Sequence, residues 1–196
     1  PIYLSIILLL TFGLSQDYSL QFDGDNDYVE TNYQGVFGSN ARTISFDADG
    51  IGGCVLSYGT TNDGGGGQRA AFFVFMHSNI NRLEINLDQS TYMYSRLEND
   101  GVNNFTIVLP KESGNYLSDI IVYQNGTSLN YINGGSNDGL INTANDQPVN
   151  IGRSYRNSHY FDGLIDNVQI WNRALDGDEI NGQYDSDEGL IADWKF

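Results

Sequence analysis

Helical periodicity is nearly absent from this chain, and that constrains its fold more than any other feature. Short runs rich in Val, Ile, Tyr and Phe are separated throughout by clusters of Gly, Asn and Asp, the pattern of an all-β protein. In Tyr18-Ser-Leu-Gln-Phe22 the apolar residues fall on one face of a strand, and Phe105-Thr-Ile-Val-Leu109 repeats the pattern. Further strands are expected at residues 28–31, 42–47, 54–58, 71–77, 82–87, 92–96, 118–124, 128–131, 149–152 and 164–171. More than ten short strands in one domain imply two packed antiparallel sheets. Asn125-Gly126 reads as a tight hairpin, because both residues accept the positive φ angles that such a turn needs. Gly64 to Gly67 reads as a hairpin loop. A phosphate-cradling loop would need a following Lys-Ser/Thr and the start of a helix. Asp176, with Glu179 three residues on, predicts a capped helix over about residues 177–184.

The first residues, Pro1-Ile-Tyr-Leu-Ser-Ile-Ile-Leu-Leu-Leu-Thr-Phe-Gly13, are apolar and uncharged. The run is shorter than the roughly 20 residues of a bilayer span. Gly13 and Ser15 put small residues at −3 and −1 before Gln16, so residues 1–15 read as a secretory signal; a buried apolar element is the alternative. With no basic n-region and no initiator Met, the sequence reads as part of a longer chain. Residues 16–196 then form one domain. The formal charge is −16, from 25 acidic and 9 basic residues, which argues against nucleic acid as a partner. The single cysteine, Cys54, cannot form an intrachain disulfide and reads as a small buried hydrophobe.

Several motifs stand in a fixed order. Tyr18-Ser-Leu-Gln-Phe-Asp-Gly-Asp-Asn-Asp-Tyr-Val29 comes first, followed by Arg42-Thr-Ile-Ser-Phe46 and Val55-Leu-Ser-Tyr-Gly59. Ile121-Val-Tyr-Gln-Asn-Gly126 comes next, and the series closes with Val149-Asn-Ile-Gly-Arg153 and the stretch from Tyr160 to Ile180. Together they resemble laminin-G-like and pentraxin-like domains of the concanavalin A-like superfamily. The resemblance implies an antiparallel two-sheet jelly-roll sandwich with one short C-terminal helix, opening and closing strands as neighbours, and an extracellular role in holding glycans or proteins. Pentraxins carry an acidic Glu-Gln-Asp cluster just after the glycine matched by Gly152. Here Arg153-Ser-Tyr-Arg-Asn-Ser-His159 stands instead, so the resemblance implies loss of the calcium-bridged ligand site while a structural calcium remains possible.

Some glycanases share this fold, with paired carboxylates on one strand as Glu-x-Asp-x-Glu. No such run is evident, Glu84 reads as standing alone, and no Gly-x-Ser-x-Gly elbow is present. The chain is therefore expected not to be an enzyme. For metal, Asp23, Asp25 and Asp27 offer hard oxygen ligands at alternate positions, as calcium prefers; a solvated acidic turn is the alternative. Asp166 shares strand parity with Leu164, Val168 and Ile170, so on a core-facing strand it needs a partner: a metal, an Arg or backbone N–H groups. Arg153, Tyr155, Arg156, His159 and Tyr160 form the densest aromatic and basic cluster on an expected loop, and are the candidate ligand-binding residues. Asn104-Phe-Thr and Asn125-Gly-Thr are glycosylation sequons. These readings converge on a secreted or cell-surface binding or adhesion module for a glycan or extracellular protein. A structural module of a larger protein and a degenerate glycoside hydrolase are the alternatives.

Overall fold

The computed structural model describes residues 19–59, 71–77, 81–88, 91–98, 101–135, 138–154, 158–182 and 187–196. The expected signal segment and the glycine run at 64–67 lie outside the described residues. The strands are β1 (Leu20–Asp23), β2 (Val29–Glu30), β3 (Arg42–Gly59), β4 (Ala71–His77), β5 (Arg82–Asp88), β6 (Thr91–Arg96) and β7 (Asn103–Leu109). They continue with β8 (Ile121–Gln124), β9 (Thr127–Ser128), β10 (Ile132–Asn133), β11 (Asn150–Ile151), β12 (Asp162–Trp171) and β13 (Leu190–Trp194). Every pairing is antiparallel, as the alternation predicts.

The sequence suggests two strands at 42–47 and 54–58; the structure has one bent strand of 18 residues, β3. Its first half lies between β7 and β12, with Ile44 opposite Ile107 on one side and Ile170 on the other. Its second half pairs with β4 and, at Leu56 and Ser57, with β11. One sheet therefore runs β9-β8-β7-β3-β12, with β1 and β13 sharing the far edge of β12. The other runs β10-β6-β5-β4-β3-β11-β2. The bend falls at Gly50 to Gly53. A Cβ on Gly53, at φ +115°, would lie 2.2 Å from the Tyr160 carbonyl oxygen, so only glycine lets the two backbones meet here.

Inward-facing residues of both sheets, among them Phe46, Phe105, Ile107, Ile151, Ile165 and Ile170, are fully or almost fully buried. Phe46 stands opposite Phe105 in register, with ring centroids 5.5 Å apart. Each such side chain contributes about 1.5–3 kcal/mol by leaving water. The opening and closing strands are neighbours as expected: Leu20 faces Ile165 and Asp23 faces Asp162.

The helix α1 spans only Gly177–Ile180, shorter than expected, because Gly182 adopts φ +70° and ends it. Its cap is as predicted. The Asp176 carboxylate accepts from the backbone N–H groups of Asp178 and Glu179, and Glu179 accepts from Asp176 N–H. The fork of Arg173 onto Glu179, with the Asp176 N–H, holds the Glu179 carboxyl down at about 2 against burial. Because the folded value lies below the ordinary 4.5, its stabilisation is complete above that pH and is lost as pH falls towards 2. The expected result is a melting-temperature gap between the parent and Glu179→Gln at pH 6 that closes near pH 2. A gap of constant size across that range would contradict the assignment.

Candidate binding site

The strands β4, β5 and β6 alternate strictly. Phe72, Val74, Met76, Leu83, Ile85 and Met93 enter the core. The outward residues form rows across the sheet: Phe73, Asn86 and Tyr92; Phe75, Glu84 and Tyr94; His77, Arg82 and Arg96. Between β11 and β12, Ser154 and His159 lie against one side of this face. Gly152 N–H donates to Val55 O, and Cys54 N–H donates to His159 O, each at 2.8 Å. His159 thereby reaches Phe75, its ring edge-on with centroids 5.6 Å apart. It does so at φ +56°, an uncommon conformation for a non-glycine residue and one often found at functional sites. Between loop and sheet lies a cavity of about 360 Å³, with Phe73, Phe75 and His159 as aromatic walls and His77, Glu84, Asn86, Asp88 and Ser154 as polar ones.

Glu84 anchors the polar row. Its side chain is 8 % exposed. One oxygen accepts from Arg82 and the other from Asn86 at 3.1 Å. Burial pushes its carboxyl up, but His77, Asn86 and Arg82 outweigh this and leave it below the ordinary range. The His77 ring nitrogen lies 3.6 Å from Glu84, a charge contact when protonated rather than a hydrogen bond. Beneath the aromatic wall, Cys54 is fully buried and its thiol donates to Leu56 O at 3.3 Å. Burial pushes the thiol's pKa up, so Cys54 is packing rather than a nucleophile.

The loop cluster read from sequence divides. His159 lines the cavity. Arg153 does not: its guanidinium binds Glu30 at 2.7 Å and Asn150 at 2.9 Å, and lies 3.4 Å from the Tyr28 ring centre. It ties β2 to β11 instead of offering itself to a ligand. Tyr160 contributes its carbonyl to the Gly53 crossing and is absent from the cavity lining. Tyr155 and Arg156 lie outside the described residues.

The acidic readings also change. The sequence parity of Asp166 fails at a β-bulge between Asp166 and Gln169, where Asn167 takes φ +49°. Ile165 and Val168 therefore both face the core, and Asp166 faces outward beside Asp47. Its oxygen accepts from Asn167 N–H at 2.7 Å and Phe196 N–H at 3.0 Å. Asp23, Asp25 and Asp27 are exposed, and Asp23 accepts from Asp25 N–H at 2.9 Å within its own turn. Because Asp23 pairs with Asp162, four residues from Asp166, the two acidic groups lie about 13 Å apart along the strands. A single ion cannot bridge them. Among the described residues no group of three His, Cys, Asp or Glu is placed to hold a metal. Both sequon asparagines are engaged: Asn104 donates to Asp47 at 2.8 Å and Asn125 donates to Asn103 at 2.7 Å.

The sequence reading missed Phe75, His77, Arg82, Asn86, Tyr92 and Tyr94. The signal was available in three successive strands whose outward positions read Phe-Phe-His, Arg-Glu-Asn-Asp and Tyr-Tyr-Arg.

A laminin G sequence model of the concanavalin A-like lectin/glucanases superfamily matches residues 59–181. The chain belongs to that superfamily. No curated protein matches it. Solved structures share this concanavalin A-like fold, among them the following three. A putative carbohydrate binding protein from Bacteroides ovatus is 16% identical with a TM-score of 0.61, over 90% of this chain and 50% of that one. A Streptococcus pneumoniae NanB sialidase mutant is 13% identical with a TM-score of 0.59, over 83% of this chain and 27% of that one. The CBM40 domain of Ruminococcus gnavus IT-sialidase, bound to α2,3 sialyllactose, is 15% identical with a TM-score of 0.53, over 82% of this chain and 99% of that one. The chain thus spans half the length of the Bacteroides protein and about a quarter of the sialidase. Among the described residues no helix is long and apolar enough to cross a membrane.

Proposed function

We propose that the chain is a non-catalytic carbohydrate-binding module acting outside the cell. Its site is the cavity between β4, β5 and the residues Ser154 and His159. The observation that carries this reading is the pairing of aromatic walls with a fixed polar row in that cavity. A saccharide presents an apolar ring face and a polar rim, and needs both kinds of wall. Two neighbours of the same fold support it: the CBM40 domain bound to α2,3 sialyllactose, and the Bacteroides protein described as a putative carbohydrate binding protein. The apolar run at the N-terminus supports secretion.

A glycan-array screen of the full chain tests the proposal. Phe75→Ala is expected to weaken any hit at least tenfold, by removing a stacking face. A hit that survives both Phe75→Ala and His159→Ala unchanged places the site elsewhere and defeats the reading. Running the screen and a thermal melt with calcium and with chelator tests calcium at the turn of residues 23–27. Dependence of either readout on calcium supports a bound ion; independence ends the calcium reading.

One observation favours a second reading, a degenerate glycoside hydrolase. Glu84, Asn86 and Asp88 line the cavity from one strand, which repeats the Glu-x-Asp-x-Glu spacing with an amide at its centre. The sequence reading of Glu84 as isolated overlooked this. Against catalysis, both Glu84 oxygens are engaged and its carboxyl sits below the ordinary range, whereas a proton donor needs a raised value. Release of reducing ends that Glu84→Gln abolishes would establish the hydrolase.

A further inference from the structure

We propose that the ligand is an acidic saccharide, and that Arg82 and Arg96 form a subsite for its anionic group beside the cavity. The proposal rests on the cavity being a glycan site, and adds the class of glycan.

The starting point is charge. The chain has 25 acidic and 9 basic residues, so a cation without an acidic partner is unexpected. Lys111, Arg153, Arg173 and Lys195 each pair with a carboxylate. Arg42 is enclosed by neutral acceptors. Arg96 is exposed and, among the described residues, its side chain has neither an ion pair nor a hydrogen bond. It also stands directly opposite Arg82 in the β5–β6 register. Like charges at such positions repel; Glu84 offsets Arg82, and Arg96 is the cation left without an anion.

The hydrogen-bonding balance points the same way. In this corner the donors are the two guanidinium groups, the His77 ring and the Asn86 amide, while the Glu84 oxygens are already taken by Arg82 and Asn86. Among the described residues the Arg82 Nε and His77 Nε2 atoms are buried without a hydrogen-bond partner, His77 Nε2 lying 3.6 Å from Glu84. These two atoms are enclosed, so an incoming carboxylate or sulfate meets the exposed N–H groups of Arg96 and the outer edge of Arg82, with negative charge that guanidinium groups bind well.

The surroundings suit a sugar. The Arg82 guanidinium lies 4.8 Å from the Tyr94 ring centre and 6.0 Å from that of Tyr92, so aromatic surface flanks the charge. Arg96 lies two strands from His77, about 10 Å, and His77 lines the cavity. A saccharide with one unit in the cavity therefore extends its next unit over Tyr94 towards Arg96.

The test uses the full chain and three matched probes: lactose, sialyllactose and sulfated lactose. The acidic probes should bind at least tenfold more tightly than lactose in low salt, and the advantage should shrink as sodium chloride rises. Arg96→Ala, at an exposed position where the fold is checked by melting temperature, should bring the acidic-to-neutral ratio close to one. Arg96→Lys should restore part of it. Comparison of the two acidic probes separates carboxylate from sulfate. Equal binding of acidic and neutral probes, a ratio unchanged in Arg96→Ala, or array hits confined to neutral glycans would each overturn the acidic-ligand proposal while leaving the cavity as a glycan site. Absence of any glycan hit would overturn both.

Discussion

Replacing Arg42 with alanine is expected to destabilise the domain by about 3–5 kcal/mol. Arg42 is 0% exposed and, among the described residues, has no carboxylate partner. It donates to Gly38 O at 2.7 Å, Tyr58 Oη at 2.9 Å and Thr143 Oγ1 at 3.1 Å, and lies 5.5 Å from the Phe72 ring centre. Truncation removes the donors but leaves their acceptors buried, and opens a void between the sheets. The loss of unmade hydrogen bonds and the cavity term add together. For a domain whose net stability is about 5–15 kcal/mol, the melting temperature should fall by about 10 °C or more. Urea unfolding measures the loss directly. A value under 1 kcal/mol would show that the pocket around Arg42 collapses without penalty and that the hydrogen-bond argument is wrong.

Gly53→Ala is the second large effect. The added methyl would lie 2.2 Å from the Tyr160 carbonyl oxygen and 2.7 Å from Phe161 Cα, both backbone atoms that cannot rotate aside. The φ of +115° adds conformational strain for any other residue. We expect a loss of about 3 kcal/mol or more, with a wider consequence than the number. Either β3 or the loop carrying His159 must move, so ligand affinity should fall even where the variant remains folded. Far-ultraviolet circular dichroism, melting temperature and glycan binding on one preparation separate the two losses. A variant with the stability and affinity of the parent would mean that the crossing is looser than drawn.

The sandwich was legible because strand alternation survives in almost every segment: Ala71 to His77 was bounded correctly from its composition alone. What was not legible has local causes. The bend in β3 looked like a break, because Gly50, Gly52 and Gly53 signal a turn whether or not pairing continues through them. The bulge at Asn167 is one residue of extra length with no compositional mark, yet it reverses the side on which Asp166 lies. The binding face was missed for a different reason. Glu84 was judged alone along the chain, whereas its meaning comes from Phe75 and Tyr94, which stand beside it only once register is known. Arg153 was misjudged in the opposite sense: its basic, aromatic neighbourhood in sequence does not reveal that Glu30 and Tyr28, from over 120 positions away, already occupy it.

The bent strand β3 has a consequence for the order in which binding competence arises. Its second half pairs with β4, which continues to β5 and β6, so the sheet floor of the cavity is made of pairings between strands consecutive in sequence. Its first half waits for β12, more than a hundred residues downstream, and the loop that brings His159 over Phe75 leads directly into that strand. Non-local closure of this kind is the slow part of folding a β protein. His159 therefore stands over Phe75 only where the long-range pairing of β3 with β12 is in place, and the cavity wall depends on a contact between distant parts of the chain that its floor does not need.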